Sequence, residues 1–98
     1  MADVYVLYSY TLGKYYIGSC TNIELRLQQH LQGSITGSFT SKASDWKIFL
    51  TIKGLSFKMA RSIESHIKRM KSKKYIESLK NYPEIVKGLI SRYSINER

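Results

Sequence analysis

The chain is short of acid, of cysteine and of proline, and it has no long apolar run. Seven Asp and Glu oppose sixteen Lys and Arg, giving a net charge of +9 and a pI near 9.8. So one-sided a balance argues against a cationic partner and attracts polyanions, speeding their encounter. For a small soluble chain the expected polyanion is nucleic acid, through phosphate contact and counterion release. The lone cysteine, Cys20, excludes an internal disulfide and a thiolate metal cluster. It suits a reducing compartment, so a cytoplasmic location is expected. No stretch approaches the roughly 20 apolar residues that span a bilayer, so no membrane association is expected. The opening Met-Ala-Asp-Val-Tyr lacks the basic-then-apolar pattern of a signal peptide. Also missing are a phosphate-cradling glycine loop, a His/Cys metal cluster, a Ser-His-Asp set and the helix-turn-helix and RNA-recognition signatures.

What is present is enough for one folded domain. In 98 residues, 43% are hydrophobic and 23% charged, an ordinary globular balance that excludes disorder. No repeat, low-complexity tract or linker interrupts it, and we expect a single domain over 1–98. Valine and tyrosine from Val4 to Tyr10 favour a strand. Thr11-Leu12-Gly13-Lys14 supplies a turn, and Tyr15 to Cys20 reads as the second strand of a hairpin. Thr21-Asn22 is a helix start, followed by the stripe Ile23, Leu27 and Leu31, with Gly33 as the stop. A polar surface loop is expected from Ser34 to Ser44, and a third strand from Trp46 to Ile52. Phe57, Ala60, Ile63, Ile67 and Met70 carry helical spacing behind a Ser56 cap. A break near Lys71–Lys74 precedes a short helix to Asn81. Pro83 opens a last helix with Ile85, Val86, Leu89 and Ile90 on its apolar face. The expected order is ββαβααα: a three-stranded sheet flanked by helices, of α+β class.

Several residues are placed for chemistry. Alternation puts Val4 and Val6 on one face of the first strand and Tyr5 and Leu7 on the other. Tyr5 and Tyr16 lie in paired strands and can meet. A phenol titrates near pH 10 unless neighbours lower it enough to accept a proton; with eight tyrosines in the chain, packing is the plain alternative. Arg26 and His30, four apart on one helix, are expected at the rim of its buried face. Arginine there can clamp a phosphate, and histidine can move a proton or bond a phosphate; the plain alternative is an amphipathic edge. Glu64 is the sole acid between Lys47 and Lys74. A single hard oxygen ligand suits Mg²⁺, which keeps its waters and takes phosphate oxygens. The alternative is an ion pair with Lys68 one turn on. Lys58, Arg61, Lys68, Arg69, Lys71, Lys73 and Lys74, together with Lys80, form a basic block in which Tyr75 is spaced to stack on a base.

The run VYVLYSYTLGKYYIGSCTNIELRLQQH, taken with SFKMARSIESHIKRMKSKK, resembles the GIY-YIG nuclease domain. It is most similar to the small single-domain bacterial kind grouped with the nuclease module of the excision-repair protein UvrC. The first motif falls on Asp3-Val4-Tyr5, the second on Tyr16-Ile17-Gly18, the arginine and histidine on Arg26 and His30, and the helix glutamate on Glu64. The resemblance covers a core of about 3–80, leaving a carboxy-terminal helix of about 83–93. It implies an antiparallel sheet and metal-dependent endonucleolytic hydrolysis of DNA. Catalysis would rest on Tyr5, Tyr16, Arg26, His30 and Glu64, with one Mg²⁺ or Mn²⁺ on Glu64. Either tyrosine can be the base, with Tyr16 preferred. Gly18 would let its strand lie close to substrate or to the next element. Lys14 and the lysines and arginines at 58–74 named above would hold the nucleic acid. Three points depart from the pattern: Asp3 replaces the first motif's glycine, Ser19 stands where some members carry lysine, with Lys14 as the candidate substitute, and a late asparagine of some members has no counterpart, Asn81 not being carried over. With no residues left over to read sequence, a structure-directed or weakly specific enzyme is expected, targeted by shape or by a partner protein, with repair or recombination as the family setting. RNA is an open alternative polymer. A fold-retaining module that binds without cutting is the alternative function.

Overall fold

The computed structural model describes residues 1–31 and 43–95. Its elements are β1 (Ala2–Ser9), β2 (Lys14–Cys20), α1 (Ile23–Leu31), β3 (Lys47–Leu55), α2 (Phe57–Met70), α3 (Lys73–Asn81) and α4 (Pro83–Ile95). The three strands form one antiparallel sheet in the order β2-β1-β3. Class and order are those expected from the sequence. The helix stop expected at Gly33, and the loop expected from Ser34 apart from Ala43 and Ser44, lie outside the described residues.

β1 is the middle strand, and both of its faces are covered. Val4 and Val6 join one apolar cluster, with Ile52, Met59, Ile63, Ile67, Ile76, Leu79 and Leu89. Tyr5 and Leu7 join the other, with Cys20, Ile23 and Trp46. The alternation of β1 therefore sorts two cores rather than a core and a wet face. Helix α1 packs on the Tyr5 side; α2, α3 and α4 pack on the Val4 side.

The β1–β2 connection is fixed by polar contacts. Gly13 takes φ +63°, a conformation glycine adopts without strain, and its N–H donates to the Ser9 carbonyl at 2.8 Å. The Asp45 carboxylate accepts from Ser9 Oγ at 2.6 Å and from Thr11 N at 2.9 Å. Ser56 caps α2, accepting from Met59 N at 3.1 Å. Lys71, left-handed at φ 48°, ends that helix. Ser72 then caps α3 through Tyr75 N, at 3.1 Å.

Two expectations of α2 are corrected. Phe57 and Met70, at helical spacing with the core, are 58% and 45% exposed. They are the first and last residues of the helix, and Met59 and Ala60 are the buried residues of its first turn. The third strand also runs on past Ile52 to Leu55. Gly54 there takes φ +75°, and its N–H donates to Asp3 Oδ1 at 3.1 Å.

Candidate nuclease site

The hairpin register brings the two tyrosines together. Tyr5 lies opposite Gly18 and Leu7 opposite Tyr16, so Tyr5 and Tyr16 are diagonal neighbours on one face. Their rings stack at 6.3 Å between centroids. From α1, His30 Nε2 lies 3.0 Å from Tyr5 Oη, and its ring is 4.9 Å from that of Tyr16. Trp46 closes the cluster, 6.4 Å from Tyr16.

Gly18 makes this arrangement possible. A Cβ at Gly18 would stand 2.5 Å from Tyr5 Oη and 2.6 Å from its Cζ. The Tyr5 ring thus lies across the edge strand β2 where β2 has no side chain, its hydroxyl buried against His30. Burial pushes the Tyr5 phenol well above the usual tyrosine range. Charge on Tyr16 adds to the rise, Arg26 opposes it, and Cys20 and Glu64 contribute smaller increases.

His30 departs from expectation. It is 1% exposed, not at a rim, and sits behind Tyr5, out of reach of a phosphate. The signal for this was present: His30 lies seven residues after Ile23, two turns along the same stripe, whereas Arg26 lies well off it. Arg26 is half-buried and lines a cleft of about 210 Å³ at the end of β2, with Ser19, Thr21, Phe57, Ala60 and Arg61. Burial pushes the Cys20 thiol beneath it upward, against the opposing charge of Arg26.

Glu64 approaches from the other side. Helix α2 packs on the Val4 face, so Glu64 and the tyrosines reach the edge strand β2 from opposite faces of the sheet. Ser19, opposite Val4 in register, points to the α2 side. It donates to Glu64 Oε1 at 2.6 Å, and Lys68 Nζ donates to Oε2 at 2.7 Å. The ion pair weighed as the alternative is therefore formed. Ser19 is the partner that sequence reasoning missed; its place beside Gly18 and its register with Val4 were the available signals.

Glu64 is a fit, though a spare one, for a hard divalent ion. Among the described residues no group of three His, Cys, Asp or Glu is placed to hold a metal. Mg²⁺, however, keeps several waters and binds through one or two carboxylates plus substrate phosphate. A single half-buried carboxylate beside a serine hydroxyl satisfies that requirement, with Lys68 as the cation to be displaced.

The basic residues divide among separate surfaces. Lys14, Lys68, Lys71 and Lys73 line one cleft of about 260 Å³ along β2, and Lys73 Nζ donates to the Gly13 carbonyl at 2.9 Å. Arg61 and Arg69 share a groove with Tyr93. Lys58 and Lys74 are exposed on α2 and α3 but line none of these. Lys80 sits over the Phe49 ring, 4.7 Å from its centroid. Tyr75 is not placed to stack on a base. Its hydroxyl bonds His66 Nε2 at 3.0 Å, and Tyr93 Oη lies 3.1 Å from His66 Nδ1.

Both histidines are pushed below the ordinary value, chiefly by burial, with Arg26 adding to the shift at His30 and Arg92 and Arg69 at His66. The unfolded chain therefore takes up these protons first. The stability the neutral rings contribute is full above about pH 6.5 and is lost as pH falls from there through their lowered folded values. The melting temperature should drop between about pH 7 and pH 5. A flat profile over that range would contradict the burial of both rings.

Residues 1–76 match the family model described as the GIY-YIG catalytic domain. The match is to the family and does not single out the excision-repair module. No curated protein and no solved structure matches the chain.

Proposed function

The chain belongs to the GIY-YIG catalytic domain family, a family of nucleases, and on that premise we propose that it is a divalent-metal-dependent DNA endonuclease acting by local structure rather than by sequence. One observation carries the reading. At Gly18-Ser19 the edge strand is crossed by the Tyr5 phenol on one face and bonded by the Glu64 carboxylate on the other. A sugar–phosphate strand laid along that rim meets Arg26 and Ser19 in one cleft, with Glu64 bonded to that serine and the buried Tyr5 phenol beneath.

The reaction is hydrolysis. A water oxygen forms a bond to phosphorus, the bond to one sugar oxygen breaks, and that oxygen leaves with a proton. Tyr16, half-buried, is the base of the two tyrosines, because it reaches solvent whereas Tyr5 is buried and bonded to His30. Tyr5 and His30 then act as a support, holding Tyr16 and the rim in place. Arg26 neutralises the phosphate as charge builds, a role that fits its fork of donors. A divalent ion held by Glu64 would supply Lewis-acid stabilisation of the phosphoryl and leaving oxygens. Lys68 would turn from Glu64 toward the lysine-lined cleft and its phosphates. The one cysteine, Cys20, is buried and unpaired, which suits a reducing cytoplasm. No helix among the described residues is long and apolar enough to cross a membrane. A targeting protein and a role in repair or recombination belong to the same proposal.

The formed Lys68–Glu64 pair favours a second reading, a module that binds nucleic acid and does not cut. One panel separates the two: plasmid, single-stranded, flapped and branched DNA, and RNA, each with Mg²⁺, Mn²⁺ or EDTA. Cutting that EDTA abolishes supports the enzyme. Binding without cutting in any lane supports the module, and cutting confined to RNA would correct the polymer.

The lysine cleft carries its own expectation. Lys14→Gln with Lys71→Gln should weaken binding evenly across sequences. It should also flatten the dependence of log K on log salt by about 0.9 for each phosphate no longer neutralised. An unchanged salt slope would remove that cleft from the binding surface.

A further inference from the structure

Phe57 is an aromatic whose spacing belongs to the core of α2, yet its side chain stands in the open, 58% exposed. It forms a wall of the cleft at the end of β2, in which Arg26 from α1 and Arg61 from α2 supply two positive charges. Ser19, whose hydroxyl holds Glu64, lines the same cleft. An exposed apolar ring sharing a cleft with two guanidinium groups, beside the rim, matches one nucleotide: its base on the ring, its phosphate on an arginine. A base paired within a duplex stays in the stack and cannot reach an exposed ring on a protein wall; an unpaired base can.

We propose that Phe57, Arg26 and Arg61 form a nucleotide subsite for an unpaired base next to the phosphate handled at the β2 rim. This rests on the nuclease reading above. It makes the substrate class nucleic acid that is single-stranded, flapped or branched, and it makes Phe57 a determinant of that choice. Phe57 contributes selection through stacking, which is sequence-tolerant because every base presents a π face.

The test uses the whole chain in EDTA, so that binding is read without cutting. Oligonucleotides carry 2-aminopurine either in an unpaired flap or within a duplex. The wild-type protein should quench the flap probe and bind it more tightly than the duplex. Phe57→Leu should lose about tenfold in affinity for the flap, the range of one base stacked on one aromatic ring, and leave duplex affinity unchanged. Phe57→Trp should restore flap binding and quenching. An equal loss on both probes, or no loss on either, would overturn the subsite, and so would quenching that survives in Phe57→Leu. Because the side chain is exposed, melting curves of both variants should match the wild type; a melted Phe57→Leu is replaced as the readout by Phe57→Trp against Phe57→Tyr, which keep a ring in place and should keep flap preference. The two readings fail separately: flap preference that fails while the wild type cuts ends the subsite alone, and absence of cutting with flap preference intact ends the nuclease alone.

Discussion

Glu64→Gln should abolish cutting, lowering the rate by about 1000-fold or more, while leaving the protein folded and able to bind. The size follows from what a single divalent ion supplies in phosphoryl chemistry, several kcal/mol of charge stabilisation at about 1.4 kcal/mol per tenfold. The substitution is nearly isosteric. The amide oxygen can still accept from Ser19, which donates at 2.6 Å in the native chain. The other loss is the pair with Lys68, whose ammonium is half exposed; pairs of that kind contribute about 0–1 kcal/mol. Melting should therefore change little, and affinity for DNA in EDTA should hold or rise, since a negative charge has left a basic surface. Initial rates of plasmid nicking, with a melting curve and a binding isotherm, check all three. Cutting within tenfold of wild type would take Glu64 out of the site.

Gly18→Ala should damage both fold and function. The new methyl would stand 2.5 Å from Tyr5 Oη and 2.6 Å from Cζ. Tyr5 cannot step aside as an exposed side chain would. It is 2% exposed, bonded to His30 and stacked on Tyr16. Overpacking of a filled core costs about 1–3 kcal/mol. Breaking the Tyr5–His30 bond leaves a buried polar group unsatisfied, at a comparable cost. A fall in melting temperature of roughly 10 °C follows for a chain this small. Cutting should fall about 100-fold, because moving a positioned group by about 1 Å costs that much. Tyr5→Leu added to Gly18→Ala should recover part of the melting loss without recovering activity. A Gly18→Ala protein that melts and cuts like wild type would mean that Tyr5 does not cross the strand at Gly18.

The strands, the helix caps and the order of elements were legible because they are local. Alternation in Val4–Leu7, the cap at Ser56, and Pro83 at the start of α4 all act within a few residues. The eccentric positions were harder. His30 was assigned to a rim because Arg26, four residues away, drew attention to the wrong helical phase; its register with Ile23 was the better guide. Phe57 and Met70 obeyed the helical period but fell at the two ends of the helix, where period says nothing of cover. Tyr75, read as a free ring, is engaged by His66, a histidine whose partners come from two other helices.

From the order of residues alone came the hairpin, the α+β class, a basic surface suited to phosphate, and a resemblance resting on Tyr5, Tyr16, Gly18, Arg26, His30 and Glu64. Each is written in short-range pattern, composition or motif. Tertiary structure alone decided that Glu64 comes from the face opposite the tyrosines, that Ser19 and Lys68 hold it, and that Phe57 stands open in a cleft with two arginines. Those facts depend on which face each helix covers and where the sheet ends, and neither is a property of any one segment.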